Sequence, residues 1–137
     1  MLQVAFDAAD PHALAAFWAD VLAYEVEDHA EIVESLVAAG RLRPDEVIVR
    51  DGRSAFADVA AARDPAGAGP RLFFQRVPEP KSAKNRVHVD VPVPEERREA
   101  ESRRLIDRGA TLLWITSDRG PTTYTLQDPE GNEFCLH

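Results

Sequence analysis

Of the four histidines in this chain, His88 alone sits in a clear strand pattern, Val87 to Val93. Asp90 follows it at the spacing that puts both side chains on one face of a strand, and Glu133 and Cys135 stand in the same relation within Asn132 to Leu136. An imidazole in that setting can act as a general base, anchor a ligand or hold a metal, or it can be a strand histidine hydrogen-bonded to its neighbours. Asp90 and Glu133 can form a carboxylate–histidine site with it, or can pair with Arg71 or Arg86 at a cleft rim. Cys135 reads more readily as a small buried apolar residue than as a nucleophile.

The alternation of the other strands extends this face. Val4-Phe6-Ala8, Val87-Val89-Val91 and Phe134-Leu136 are apolar and should pack against helices. The opposite parity carries Gln3-Ala5-Asp7, Arg71-Phe73-Gln75-Val77, Arg86-His88-Asp90 and Glu133-Cys135-His137. Polar side chains of mixed charge around Phe73 are the lining expected of a small-molecule site. Phe17 and Trp18 read as core, whereas Trp114 and Tyr124 fit either core or cleft. Lys81, Lys84 and Arg86 can steer an anion but are more simply a solvated linker. Arg97, Arg98, Arg103, Arg104 and Arg108 read as a solvated helix face.

The elements that must position these residues follow from periodicity and punctuation. Leu2 to Ala8 alternates as a strand. Asp10 then caps a helix, Pro11 suits its first turn, and Leu14, Phe17, Trp18, Val21 and Leu22 form an amphipathic stripe. Tyr24 to Glu27 reads as a short strand. Residues 29–39 repeat a helical pattern through Ile32, Val33, Leu36 and Val37, ended by Gly40. A polar stretch follows, with Asp51-Gly52 as a turn. Ser54 to Arg63 is undecided between helix and strand, and Arg71 to Val77 is a strand. Glu95 to Arg108 is a charged helix ending at Gly109, with Glu99 and Arg103 spaced for an ion pair. Thr111–Thr116, Thr122–Gln127 and Asn132–Leu136 read as strands.

Strand, helix and turn recur in the same order. Gln3-Val4-Ala5-Phe6-Asp7 leads into the helix at Asp10-Pro11, and His88-Val89-Asp90-Val91 into the helix at Pro94-Glu95. Asp64-Pro65-Ala66-Gly67 matches Asp128-Pro129-Glu130-Gly131. The pattern predicts one domain of two modules, residues 1–77 and 86–137, joined by a linker over 78–85. The first copy is longer by roughly twenty residues, which assigns it a helical insertion at about residues 28–52, either a lid or a cover for a sheet edge. With 137 residues, 45% of them hydrophobic, the chain can bury a core. A net charge of −8 argues against nucleic acid. The single cysteine suits a reducing compartment, and no apolar run reaches membrane-spanning length. A cytoplasmic protein without a membrane partner is expected.

Four segments carry a resemblance: Ala9-Asp10-Pro11-His12-Ala13-Leu14 with Phe17-Trp18; Gly69 to Glu79; Lys84-Asn85-Arg86-Val87-His88-Val89-Asp90; and Asp128 to Cys135. In this order the chain resembles the vicinal oxygen chelate superfamily, which holds glyoxalase I, bleomycin-resistance proteins and extradiol dioxygenases, and within it the bacterial glyoxalase-like domains. The resemblance implies an α+β fold of two βαβββ modules, related by a pseudo-twofold, whose curved mixed sheets enclose a cleft. It also implies that the metal-binding positions of enzymatic members fall on Gln3, Gln75, His88 and Cys135. That set contains no carboxylate, so no metal cofactor is expected, although a divalent ion stays open. The expected cleft comprises Gln3, Phe73, Gln75, His88, Asp90, Glu133 and Cys135, with His88 the candidate catalytic residue. Two functions stay open: a small-molecule-binding protein, as bleomycin-resistance proteins are, or a metal-dependent lyase, isomerase or dioxygenase acting on vicinal oxygens. The superfamily also implies a homodimer.

Overall fold

Alternation of apolar and polar residues sets the first strand, β1 (Gln3–Ala8), and Asp10 opens the helix behind it. In the computed structural model, which describes residues 2–137, the Asp10 carboxylate accepts from the backbone N–H groups of His12 and Ala13, both at 3.1 Å. Pro11 occupies the first turn of α1 (Pro11–Leu22), where a missing N–H costs nothing. The helix ends at Ala23 in the left-handed conformation, φ 55°, with the Tyr24 N–H returning to the Ala19 carbonyl.

After α1 come β2 (Glu25–Val26), α2 (Ala30–Ala38), a 3-10 turn (Pro44–Glu46), β3 (Val47–Arg50), β4 (Arg53–Phe56), β5 (Val59–Arg63) and β6 (Arg71–Arg76). The second copy runs β7 (Val89–Val91), α3 (Glu95–Asp107), β8 (Thr111–Thr116), β9 (Thr123–Gln127) and β10 (Glu133–Leu136). The strand orders are β1-β6-β5-β2 and β7-β10-β9-β8. In both, the first strand lies parallel to the last and the remaining pairs are antiparallel. The fold is therefore α+β, built from two mixed-sheet modules of one topology. The chain forms two compact units that meet in sequence at Pro78 and Glu79.

The duplicated turns do one job twice. The Asp64 carboxylate accepts from the N–H groups of Ala66, Ala68 and Gly69 at 2.8–3.0 Å. Asp128 accepts from those of Glu130 and Asn132, both at 2.9 Å. Gly67 and Gly131 supply the positive φ, 70° and 86°, that closes each turn. The N–H bonds, led by that of Gly69, hold the Asp64 pKa below its ordinary value.

In the first unit, Trp18, Leu14 and Phe74 are fully buried, and Phe6 stacks on Phe74 with ring centres 5.1 Å apart. In the second, Leu105, Leu126, Phe134 and Leu136 are fully buried. Three segments differ from the sequence reading. The polar stretch after Gly40 contains a hairpin, β3–β4, turned by Asp51 and Gly52 at φ 48° and 75°, a turn whose twist matches the strands. The undecided stretch Ser54–Arg63 is two strands, β4 and β5. Strand β7 is shorter than Val87–Val93: it pairs with β10 from Val89 onward, and Val87 is 80% exposed. His88 thus stands at the residue before the strand.

Candidate functional site

The polar face of the first unit is organised by Arg71. Parallel pairing of β1 and β6 sets Gln3 opposite Arg71, Ala5 opposite Phe73 and Asp7 opposite Gln75. The short β2 continues past Val26, with the Glu27 N–H bonded to the Ala61 carbonyl, and brings the Glu27 carboxylate to the same guanidinium. Arg71 donates through Nε and Nη2 to the two Glu27 oxygens at 2.8 and 2.7 Å, and through Nη1 to Gln3 Oε1 at 2.5 Å. Its guanidinium also lies 5.5 Å from the centre of the Phe73 ring. The fork geometry of Arg is well matched to a carboxylate.

The electrostatics follow. The bond from Arg71 holds the Glu27 pKa below its ordinary value; burial opposes it, and the His29 imidazole, 3.0 Å from Oε2, adds to it. The Arg71 pKa is raised, chiefly by Glu27. Further along the face, Gln75 Nε2 donates to Asp7 Oδ1 at 2.9 Å. Arg71, Glu27 and Asp7 therefore each meet an internal partner. Glu27 and His29 were not singled out from the sequence; their two-residue spacing after a short strand was the available signal.

The second unit brings three of its candidates together. Cys135 pairs with Asp90 in the parallel β7–β10 ladder, so both side chains leave the sheet on one face. His88 Nε2 lies 3.1 Å from Asp90 Oδ1. The donor atoms of His88, Asp90 and Cys135 all fall within 4.8 Å of one another. His88 and Asp90 are exposed, Cys135 is half-buried, and Thr125 Oγ1 lies 3.4 Å from Cys135 Sγ.

Glu133 has other surroundings than its strand parity suggests. It is 6% exposed, and its carboxylate accepts from the Asn85 N–H at 3.0 Å and from Gln127 Nε2 at 3.4 Å. Burial pushes its pKa up, but those bonds, its own backbone N–H and the Lys81 charge outweigh burial and leave it lowered. Its partners are not Arg71 or Arg86; it ties Asn85 to β10. Asn85 also donates to Asn132 Oδ1 at 3.0 Å, and Lys81 donates to Asn85 Oδ1 at 2.8 Å.

Arg98 corrects the reading of a fully solvated arginine face. It is 9% exposed and donates to the carbonyls of Val93 at 2.8 Å and Thr122 at 2.7 Å. Glu95 accepts from the Thr122 N–H at 2.9 Å, so α3 holds both backbone groups of that residue. Arg97, Arg103 and Arg108 are exposed as read, with Arg103 paired to Glu99, whereas Arg104 is half-buried and paired to Glu101. Trp114, on the edge strand β8, is 48% exposed.

The profile of the glyoxalase-like domain matches residues 3–137. The chain belongs to the glyoxalase-like domain family. Solved structures agree on the fold. A glyoxalase/bleomycin resistance protein/dioxygenase family enzyme from Burkholderia phytofirmans aligns over 98% of this chain and 94% of its own, with TM-score 0.65 and 17% identity. The fosfomycin resistance protein FosX from Mesorhizobium loti aligns over 100% and 90%, with TM-score 0.66 and 9% identity. A FosX variant from Listeria monocytogenes, in complex with Mn(II) and 1S,2S-dihydroxypropylphosphonic acid, gives 0.66 at 11% identity over 100% and 90%. No curated protein matches the chain by sequence.

The metal positions implied by the superfamily do not fit a hard divalent cation in this glyoxalase-like domain. Gln3 and Gln75 are neutral amides, and the oxygen that Gln3 would offer is taken by a guanidinium. No carboxylate stands among the four positions, and hard divalent cations take charged oxygen ligands.

Proposed function

We propose that this glyoxalase-like domain binds a small organic molecule on its polar strand faces and has lost the four-ligand metal chemistry implied by its superfamily. The observation that supports the reading is the Arg71–Gln3 bond, which already occupies the side-chain oxygen that Gln3 would offer a metal. In the first unit Gln3, Phe73 and Gln75 offer amide groups and one aromatic surface, and in the second His88, Asp90 and Cys135 offer hydrogen-bond donors and acceptors. The net charge of −8 favours a cationic ligand.

The test is a thermal-shift screen of small organic cations and oxyanions, followed by calorimetric titration of hits into the wild type, Phe73→Asp and His88→Ala. Binding weakened by either substitution, with no stoichiometric nickel, iron or manganese in protein purified without chelator, is the expected result. Stoichiometric manganese or nickel in the natural protein would instead favour the metal-dependent lyase, isomerase or dioxygenase reading.

A homodimer belongs to the same proposal. The edge strand β8 exposes Leu112, Trp114 and Ile115 by 37–49%, and an apolar edge is a surface that pairs with another strand. Light scattering that returned only the monomer mass of 15.2 kDa would remove it. Among the described residues no helix is long and apolar enough to cross a membrane.

A further inference from the structure

We propose that His88, Asp90 and Cys135 form a binding site for zinc, or a similarly thiophilic divalent cation, confined to the second unit. Asp90 is not among the positions implied by the superfamily, and neither glutamine takes part. These three side chains also belong to the small-molecule reading, but the inference does not rest on it, because zinc binding is tested without an organic ligand.

The geometry is close to what a cation requires. Tetrahedral coordination with bonds of about 2.0–2.3 Å sets donor atoms about 3.3–3.8 Å apart. His88 Nε2 and Asp90 Oδ1 are already 3.1 Å apart, and no pair among the three donors exceeds 4.8 Å. The contraction falls to side chains free to make it, since those of His88 and Asp90 are 47% and 55% exposed. Cys135 is fixed by the β10 ladder, and its neighbour Thr125 has a hydroxyl able to donate to a thiolate.

The donor set selects the metal. A thiolate, an imidazole and one carboxylate suit zinc or cobalt and disfavour magnesium, calcium and manganese, which take oxygen ligands. Three protein ligands leave the fourth position to water or to an added ligand atom.

The experiment uses the full chain, stripped with chelator and kept reduced, in equilibrium dialysis against zinc and then titrated with cobalt(II). We expect one zinc per chain, and a cobalt form showing a thiolate charge-transfer band and tetrahedral ligand-field intensity. Asp90→Asn should weaken zinc at least about tenfold, the lower end of what losing even an outer partner costs. Cys135→Ser should remove the charge-transfer band, and Gln3→Ala should leave zinc affinity unchanged, because Gln3 is not among the proposed ligands. Circular dichroism of the metal-free variants establishes that they fold. Absence of stoichiometric zinc, or affinity indifferent to Asp90→Asn, overturns the site. A loss in Gln3→Ala comparable to that in Asp90→Asn also overturns it, because it would place the metal at the superfamily positions.

Discussion

Replacing Glu27 with glutamine tests the claim that Arg71 is held by a charged partner. The substitution keeps the shape and one acceptor while removing the negative charge. Exposed ion pairs contribute about 0–1 kcal/mol, and removing one partner of a fully buried pair costs about 3–5 kcal/mol. The side chains of Arg71 and Glu27 are 23% and 17% exposed, so this pair lies between those limits. Two bonds from Arg71 at 2.8 and 2.7 Å and a third from His29 at 3.0 Å depend on the carboxylate. A loss of about 2 kcal/mol is expected, read as a fall in Tm of about 8 °C for a domain of this size. The pH dependence has a definite sign. The folded-state pKa of Glu27 lies below its ordinary value, chiefly through the bond from Arg71. As pH falls, the unfolded chain therefore takes up the proton first. The stabilisation is complete above the ordinary glutamate range and is lost as pH drops through the lower folded value. Urea titrations of both forms should show the full gap at neutral pH and its closure in acid. A gap under about 0.5 kcal/mol, the level of a surface pair, would refute the reasoning. So would a gap unchanged down to about pH 3, below the ordinary glutamate value.

Three further outcomes are expected. A Cβ at Gly69 would lie 1.9 Å from the Tyr24 hydroxyl oxygen, so Gly69→Ala should cost about 1–3 kcal/mol in chemical denaturation, partly recovered by adding Tyr24→Phe. Arg98→Met removes the donor to the Val93 and Thr122 carbonyls; about 2 kcal/mol should be lost and amide exchange near Thr122 should quicken, whereas a surface arginine would change neither. Gln75→Glu sets a second carboxylate opposite Asp7, and the loss of about 1 kcal/mol at neutral pH should shrink when titrations are repeated at high salt.

Much of the fold was legible because its signals are local. Asp10-Pro11 caps a helix wherever it precedes an apolar stripe, and the two Asp-Pro turns announce themselves through the carboxylate that gathers the N–H groups after it. Parity separated the faces of β1 and β6, where more and less buried residues alternate along most of each strand. It misled on Glu133, because parity names a face and not what lies over it: the chain at Asn85 covers that carboxylate. It overextended β7, because a strand lasts only as long as its partner, and β10 meets β7 only from Val89. Helical spacing grouped Arg98 with its neighbours, although Arg98 reaches carbonyls of the flanking segments. The Glu27–Arg71 pair depended on strand order β6-β5-β2, which no local pattern states.

The two modules share a topology and have diverged in what their polar faces can exchange. In the first, Gln3, Arg71 and Glu27 form a closed set of bonds, and Gln75 is bonded to Asp7. A ligand there must break an internal bond or stack on Phe73 beside a fixed charge, so shape and aromatic surface would dominate selection. In the second, the described contacts of His88, Asp90 and Cys135 are the 3.1 Å approach of His88 to Asp90 and one weak contact to sulfur. Side chains so lightly held can move onto a bound atom, and their donor types are those that coordinate or transfer protons. Duplication gave both modules the same strand positions. In the first, Arg71 already has its partners in Glu27 and Gln3, whereas in the second the aspartate at position 90 adds a carboxylate beside the histidine, making it the better place for an external cation.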